Sequence, residues 1–566
     1  MAKARAVYPQ VEVGAVALMD KRLVLCPPRS TIARVLARGA DAQVFVTGPR
    51  AAVRRRELAR AAGWGLGGLR AADIAWAGLP VVGPRASEIE VRRLLERGAP
   101  LVLVRGGRRV LGVVDGERVE MLPASLSVAG RLERTGDRSA EGRVWLLRVA
   151  GKVGEGMGVP VFAVGGFVRD LLRRDGIGGA GPDLDLVVEG DGIAFARRLA
   201  EEVGGHLAVH SEFGTASIEG ALGAAGGESA GASLGRVDVA SARRERYEAP
   251  GALPLVSPAP LVEDLRRRDF SVNALAISLA PSGFGRLVDP LGGQQDLRSR
   301  RLRVLHPLSF VEDPTRIFRA ARYAARLGFG IHAETLRALS LALKVGRYPA
   351  LSGDRLGAEL ELLAGEPVAA KAFKLLLRWG ALRLWNHNYW FMPISLRRLA
   401  AASRFVAWAR SGGIGVDPGE IYLVALLFDQ RPRTKAAVLD RLAVRGEAFD
   451  RLWAGLAAEP LARGLARAHR PSLLADILRG KPVTVLAAAW MVGGASIRHR
   501  VEWFLGEGRA VRPVLTGEDL LALGVPRGPG IGRCLAALRR ERLDGRLVTV
   551  AQERQFVKEY LLRKEA

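Results

Sequence analysis

Two short segments constrain the fold of this chain more than anything else in it. The run Val161-Phe-Ala-Val-Gly165-Gly166-Phe-Val-Arg169-Asp170 reads as a buried strand, a diglycine turn and the start of a helix. Shortly after comes Pro182-Asp183-Leu184-Asp185-Leu186-Val187-Val188. Alternation along that second strand puts Asp183 and Asp185 on one face and Leu184 and Leu186 on the other. Each segment is ambiguous by itself. A diglycine after a strand is as often a plain turn, and an isolated Asp-x-Asp is often a solvated strand surface. In this order they support each other. Glycines let the backbone approach a phosphate, while helix N-terminal amides and Arg169 supply positive potential. Adjacent carboxylates repel unless a cation lies between them, and magnesium is the natural occupant. A phosphoryl-transfer site needs that combination. A third carboxylate is available in Asp238, on the short strand Arg236-Val-Asp238-Val-Ala.

Two further segments bring charge to the same region. In Glu263-Asp264-Leu-Arg266-Arg267-Arg268-Asp269-Phe-Ser-Val-Asn273, charge abuts an apolar run, so the basic cluster is expected at the edge of the sheet, within reach of a triphosphate. A solvated helix face is the alternative. In Glu312-Asp313-Pro314-Thr-Arg316-Ile-Phe-Arg319-Ala-Ala-Arg322, a helix opening near Pro314 would carry three arginines in one stripe. Glu312 and Asp313 would precede its first turn, where carboxylates are favoured. A basic stripe facing solvent would be ordinary; one led by an acidic pair can present donor and acceptor together to a base edge.

The ordered set Gly-Gly-Phe-Val-Arg-Asp, Asp-Leu-Asp-Leu-Val-Val, Arg-Arg-Asp-Phe-Ser-Val-Asn-Ala and Glu-Asp-Pro-Thr-Arg, spread over residues 159 to about 365, resembles the class II tRNA nucleotidyltransferase and bacterial poly(A) polymerase family. The resemblance implies a mixed α/β and all-α chain. A nucleotidyltransferase head of the polymerase-β type would span 159–300, a helical neck reading the incoming base 301–365, and a helical body and tail holding tRNA 366–566. It further implies template-independent addition of nucleotides of the tRNA 3′ CCA end from CTP and ATP, with magnesium as cofactor. Asp183 and Asp185 would be metal ligands, with Asp238 as third catalytic carboxylate. Gly165, Gly166, Arg169 and Arg268 would meet the nucleotide's phosphates or sugar. Asp313 and Arg316 would select the base, with Arg319 and Arg322 supporting nucleotide binding. Poly(A) tailing uses the same head chemistry, but its bacterial enzymes typically carry a strongly basic C-terminal extension, and this sequence closes on Glu-Tyr-Leu-Leu-Arg-Lys-Glu-Ala. A catalytically silent, nucleotide-sensing RNA-binding regulator is the reading from another class. Retention of both aspartates and of the nucleotide-binding arginines argues against it.

Residues 1–125 contain an internal repeat. Val35-Leu-Ala-Arg-Gly-Ala40 followed by Val44-Phe45-Val46 recurs as Leu94-Leu-Glu-Arg-Gly-Ala99 followed by Leu101-Val-Leu-Val104. Each copy reads as a helix ending at glycine and then a strand. The second continues through Gly107-Arg-Arg into a hairpin; the first carries a basic insertion at Arg54-Arg-Arg56. The pair resembles tandem CBS modules, which implies adenine nucleotide binding or dimerisation, and a linker helix is expected within 126–158, over Arg143 to Gly154. An unrelated small α/β domain is the other reading. Members of the long CBS-bearing branch often carry a DHH phosphoesterase in front, but no histidine precedes His206 here. The Gly/Ala/Ser-rich stretch Gly220 to Gly235 is expected to be a surface insertion between two strands.

Composition agrees with a polyanionic partner. Lys and Arg total 85 against 58 Asp and Glu, a formal net charge of +27. GC-rich coding also enriches Arg, Ala and Gly, so charge alone does not establish RNA. The longest apolar stretch, Pro482 to Ala495, is too short for a bilayer span. With no signal-peptide core at the start and two distant cysteines, Cys26 and Cys534, a reducing cytoplasm is expected.

Overall fold

The structure, a computed structural model, describes residues 15–116, 127–130, 138–173, 184–210, 214–220 and 236–565. Its organising element is a mixed sheet in the first of two compact units, Met1–Leu351 and Ser352–Ala566. Counting strands over the whole chain in order, β7 (Val161–Val164), β8 (Leu184–Val188), β9 (His206–His210), β10 (Thr215–Glu219), β11 (Arg236–Ser241), β14 (Ala276–Ser278) and β15 (Leu287–Val288) lie in the spatial order 15-14-7-8-11-10-9. The β8–β11 pair is parallel and the other neighbours are antiparallel.

Alternation gives this sheet two unlike faces. Leu184, Leu186 and Val188 of β8, with Val237 and Val239 of β11, pack under helices Arg138–Gly156 and Gly192–Val203, against Leu146, Leu147, Phe195 and Leu199. The opposite face carries Phe162, Val164 and Val187, covered by Leu261 and Leu265 of helix Leu261–Arg266. Asp185 and Asp238 belong to that second face by the period of two. The helix expected over Arg143 to Gly154 is therefore longer, and it covers the face away from the carboxylates.

Ahead of the sheet, the internal repeat takes the form of two small sheets of the same topology. In the first, β1 (Leu23–Leu25) runs parallel to β2 (Val44–Gly48), which pairs antiparallel with β3 (Ala51–Arg54). In the second, β4 (Val81–Val82), β5 (Leu101–Gly106) and β6 (Arg109–Asp115) repeat those senses. Helices Ile32–Arg38 and Glu88–Glu96 occupy equivalent connections. The sheets share a core in which Val44, Val46 and Trp76 meet Leu101, Leu103 and Val113. Arg54, the first of the three arginines read as an insertion, is buried. It ends β3 and pairs with Asp115 at the corresponding end of β6 at 2.8 Å and with Glu57 at 3.1 Å. Two sheets that share a core and an ion pair form one body.

This body is docked within the first unit. Trp64 donates its indole N–H to the carbonyl of Tyr247 at 3.2 Å, Lys344 pairs with Asp73 at 2.7 Å, and Arg303 donates to the Gly98 carbonyl at 3.2 Å. The second unit is helical throughout its described residues, and the helix Gly353–Gly365 belongs to it. The apolar stretch after Pro482 forms the helix Val483–Val492, whose residues Thr484 to Met491 are all buried. Among the described residues, no helix is long and apolar enough to cross a membrane.

Candidate active site

The register of three strands builds the site. In β7, Val164 stands opposite Asp185 of β8, and Asp185 stands beside Asp238 of β11. Because β7 runs against β8, the chain leaves β7 at the edge where β8 begins, one residue before Asp185, so the diglycine turn lies over the carboxylate. Gly165 takes φ +71°, a left-handed conformation that favours glycine. A Cβ there would lie 3.1 Å from Asp185 Oδ2 and 3.3 Å from Arg268 Nη1. Turn, carboxylate and guanidinium thus converge on one spot. Gly166 opens the helix Gly166–Leu172. Asp183 lies outside the described residues. Asp238 accepts from Ser217 Oγ at 2.6 Å and from Arg236 Nε at 2.8 Å, both on Oδ1. Among the described residues, no group of three potential metal ligands comes together.

The arginines divide by what holds them. Arg268 is tied to the fully buried Asp264 at 3.0 Å, while its buried Nε has no hydrogen-bond partner among the described residues and Nη1 reaches the Gly165 turn. Of the basic cluster 266–268 it alone approaches that turn; Arg267 bonds Asp264 and Glu245. Arg169 is buried and fully engaged, donating Nε and Nη2 to Asp170 at 2.9 and 2.8 Å and Nη1 to Asn273 Oδ1 at 2.8 Å. Burial opposes its charge, but Asp170, with Tyr323 and Asp269, more than offsets this and raises its pKa.

Asn273 continues the chain of contacts, donating Nδ2 to Asp269 Oδ1 at 3.0 Å, and Arg319 clamps Asp269 Oδ2 at 2.9 and 2.7 Å. Burial pushes the Asp269 carboxyl up, yet Arg319 and Asn273 hold it below its ordinary range. The ring of Tyr323 lies beneath four guanidinium groups, those of Arg169, Arg319, Arg322 and Arg326, at 5.0 to 5.7 Å. Asp170, Asp269, Asn273 and Tyr323 are the residues that sequence patterning does not single out. For Asp269 and Asn273 the signal was a carboxylate and an amide four residues apart beside the basic run, which has meaning only once the strand register is known.

The helix of the arginine stripe spans Thr315–Leu327, one residue after Pro314. Steps of three rotate about 60° around a helix, so the three arginines face three environments. Arg316 is buried, with Nη1 on Ser309 Oγ at 2.9 Å and Nη2 on the Arg267 carbonyl at 2.8 Å and the Tyr247 hydroxyl at 3.4 Å. Burial works against its charge, and Tyr247, Asp313 and Glu312 raise its pKa nonetheless. Arg319 is half-buried on Asp269, and Arg322 is buried against Tyr323. Asp313 accepts from the backbone N–H and the hydroxyl of Thr315 at 3.1 and 2.7 Å. Glu312 departs from its expected role at the helix N-terminus. It ends a separate short helix, Ser309–Glu312, and its buried carboxylate pairs with His306 at 3.1 Å and with Arg60 of the N-terminal body.

The sequence pattern of the Poly A polymerase head domain family matches residues 161–303. The chain is 38% identical over 416 residues to an A-adding tRNA nucleotidyltransferase from Geobacter sulfurreducens, matching 72% of this chain and 46% of that protein. It thus spans about half the length of that relative. It is 30% identical to an A-adding tRNA nucleotidyltransferase from Halalkalibacterium halodurans, over 74% of this chain and 93% of the relative. It is 34% identical to a CC-adding tRNA nucleotidyltransferase from Deinococcus radiodurans, over 74% of this chain and 94% of the relative. Among solved structures, a CCA-adding enzyme in an apo form superposes with a TM-score of 0.65 at 29% identity, over 78% of this chain and 99% of that one.

Proposed function

The chain belongs to the tRNA nucleotidyltransferase family, and on that premise we propose that it completes the tRNA 3′ CCA end, adding the terminal adenylate from ATP. The observation that carries this reading is the convergence of Asp185, the Gly165 turn and Arg268 at the start of β8, with Asp238 in register beside Asp185. In the reaction, the tRNA 3′-hydroxyl gives up its proton to solvent and its oxygen forms a bond to the α-phosphorus of ATP, while the bond from that phosphorus to the oxygen bridging to the β-phosphate breaks and pyrophosphate leaves with the electron pair.

The donor set fits magnesium. It consists of carboxylate oxygens, hard ligands suited to a hard cation, on adjacent strands of one face. Asp183 and Asp185, with Asp238 beside them, would hold the ion. When bound, it makes the hydroxyl a better nucleophile and neutralises charge on the leaving group. The rest falls to the protein. Gly165 and Gly166 leave the backbone open for a triphosphate, and Arg268 supplies a guanidinium at that turn. Arg169, fully engaged by Asp170 and Asn273, acts on the nucleotide by fixing Asp269 and hence Arg319. Asp313 and Arg316 would select the base, with Arg319 and Arg322 at the nucleotide's side. The helical second unit would hold tRNA. For the N-terminal pair, the repeated strand order supports a CBS-like reading, with an adenine nucleotide or a second copy of the chain as its partner.

Terminal A addition is favoured because the relatives named for that activity include the one at 38% identity, although a CC-adding relative stands at 34%. Three tRNAs, ending before the first C, after it, and after the second, incubated with one nucleoside triphosphate at a time, separate the outcomes. Incorporation of ATP on the CC-ended tRNA alone is expected. Incorporation of CTP on the shorter tRNAs would make the protein a CC- or CCA-adding enzyme instead.

A further inference from the structure

The helix Arg55–Gly63 of the N-terminal body ends against the back of the base-selecting segment. One residue of the helix and its C-cap, one turn apart, make the contacts. Arg60 pairs with Glu312, the residue immediately before Asp313. Trp64, the C-cap, donates its indole N–H to the carbonyl of Tyr247 at 3.2 Å. Both partners lead to the same guanidinium. Tyr247 presents its hydroxyl to Arg316 Nη2 at 3.4 Å and is itself anchored through Glu245 at 2.9 Å. Glu312 closes the short helix whose first residue, Ser309, accepts from Arg316 Nη1 at 2.9 Å.

The fixing of Glu312 is thorough. Its carbonyl accepts from Gly251 N at 3.0 Å, one carboxylate oxygen meets His306, and the other meets Arg60. A buried carboxylate of this kind strongly favours the geometry that keeps its cations. Arg60 is the cation that comes from outside the head and neck, and its side chain remains 42% exposed. It can therefore be removed without opening a core.

We propose that Arg60 and Trp64 are positioning residues for nucleotide selection, holding Arg316 and Asp313 in place through Tyr247 and Glu312. The N-terminal body is then part of the apparatus that chooses the base, and displacement of this helix changes which nucleotide is added. The inference rests on the reading that Asp313 and Arg316 select the base, so its test must separate the two.

Full-length Arg60→Ala, Arg60→Lys, Trp64→Phe and Asp313→Ala are compared with wild type on a tRNA ending in CC, with ATP, CTP, UTP and GTP offered singly. Arg60→Ala is expected to reduce the preference for ATP over CTP by about tenfold, through KM for ATP more than through kcat. Arg60→Lys restores most of that preference. Trp64→Phe, which keeps the packing and loses the donor, shifts it in the same direction. If Arg60→Ala and Trp64→Phe slow all four nucleotides alike, or select as wild type does, the inference is overturned. The Asp313→Ala arm shows what falls with it: altered selection there leaves the base-reading assignment standing, and unchanged selection removes that as well.

Discussion

At the scale of single residues, the site turns on one glycine. Gly165 combines a left-handed φ with a virtual Cβ 3.1 Å from the Asp185 carboxylate, so alanine there adds backbone strain and pushes the carboxylate out of line. Strain of this kind costs about 1–2 kcal/mol, which lowers stability modestly. Addition of AMP should fall much further, by at least about a hundredfold, because small displacements in a preorganised site are costly. Asp185→Asn should cost several orders of magnitude in rate while tRNA affinity stays at its wild-type value, since the amide retains shape and loses charge. Steady-state addition and tRNA binding on the two variants check this; wild-type turnover by Asp185→Asn would remove the metal assignment. The placement of Gly165, Gly166 and Asp185 was legible in the sequence, because it follows from local conformation and strand alternation. Arg169 and Arg316 were legible as cations, not in their surroundings. Both are buried, and both bond protein atoms that lie far off in sequence or were not expected to bear on them.

Among elements, the neck helix Thr315–Leu327 depends on two buried carboxylates, Glu312 just before it and Asp269 beneath Arg319. Burial raises the Glu312 carboxyl, but His306, Arg60 and Arg316 bring it down to about 2 from its ordinary 4.5. A carboxylate whose folded pKa is depressed contributes stability above its unfolded pKa. That contribution fades as pH falls from about 4.5 towards about 2. Asp269 acts in the same sense. Amide hydrogen exchange, corrected for its intrinsic pH dependence, should therefore show the neck helix losing protection between pH 5 and pH 3. In Glu312→Gln, protection at pH 5 is already lower and falls less, with Asp269 accounting for the remainder. Equal losses in the two proteins would mean that Glu312 carries none of the effect. The elements themselves were largely readable: β7, β8 and β11 from apolar alternation, the neck helix from Pro314. The break that separates Ser309–Glu312 from that helix was not. Arg60 and Glu312 are 252 residues apart, and a contact across such a distance leaves no periodicity to read.

For the whole molecule, the internal repeat and the helical second half follow from sequence patterning, whereas the division after Leu351 and the docking of the repeated body within the first unit come from packing. Charge is the property that belongs to the whole chain. With a net +27, binding of tRNA should release counterions from several phosphates at once. Five or more contacts give a log–log slope of about −3.5 or steeper, so affinity should fall roughly a hundredfold between 50 and 200 mM salt. Fluorescence anisotropy with labelled tRNA across that range measures the slope. Arg60→Ala removes a single cation and should lose at most one unit of it. Asp185→Asn should leave the slope unchanged, because on the proposed reading that carboxylate would hold the ion and is not a cation that neutralises tRNA phosphates. A flat response in the wild-type protein would mean that the arginine excess reflects coding composition, and that the tRNA is held by shape and hydrogen bonding instead.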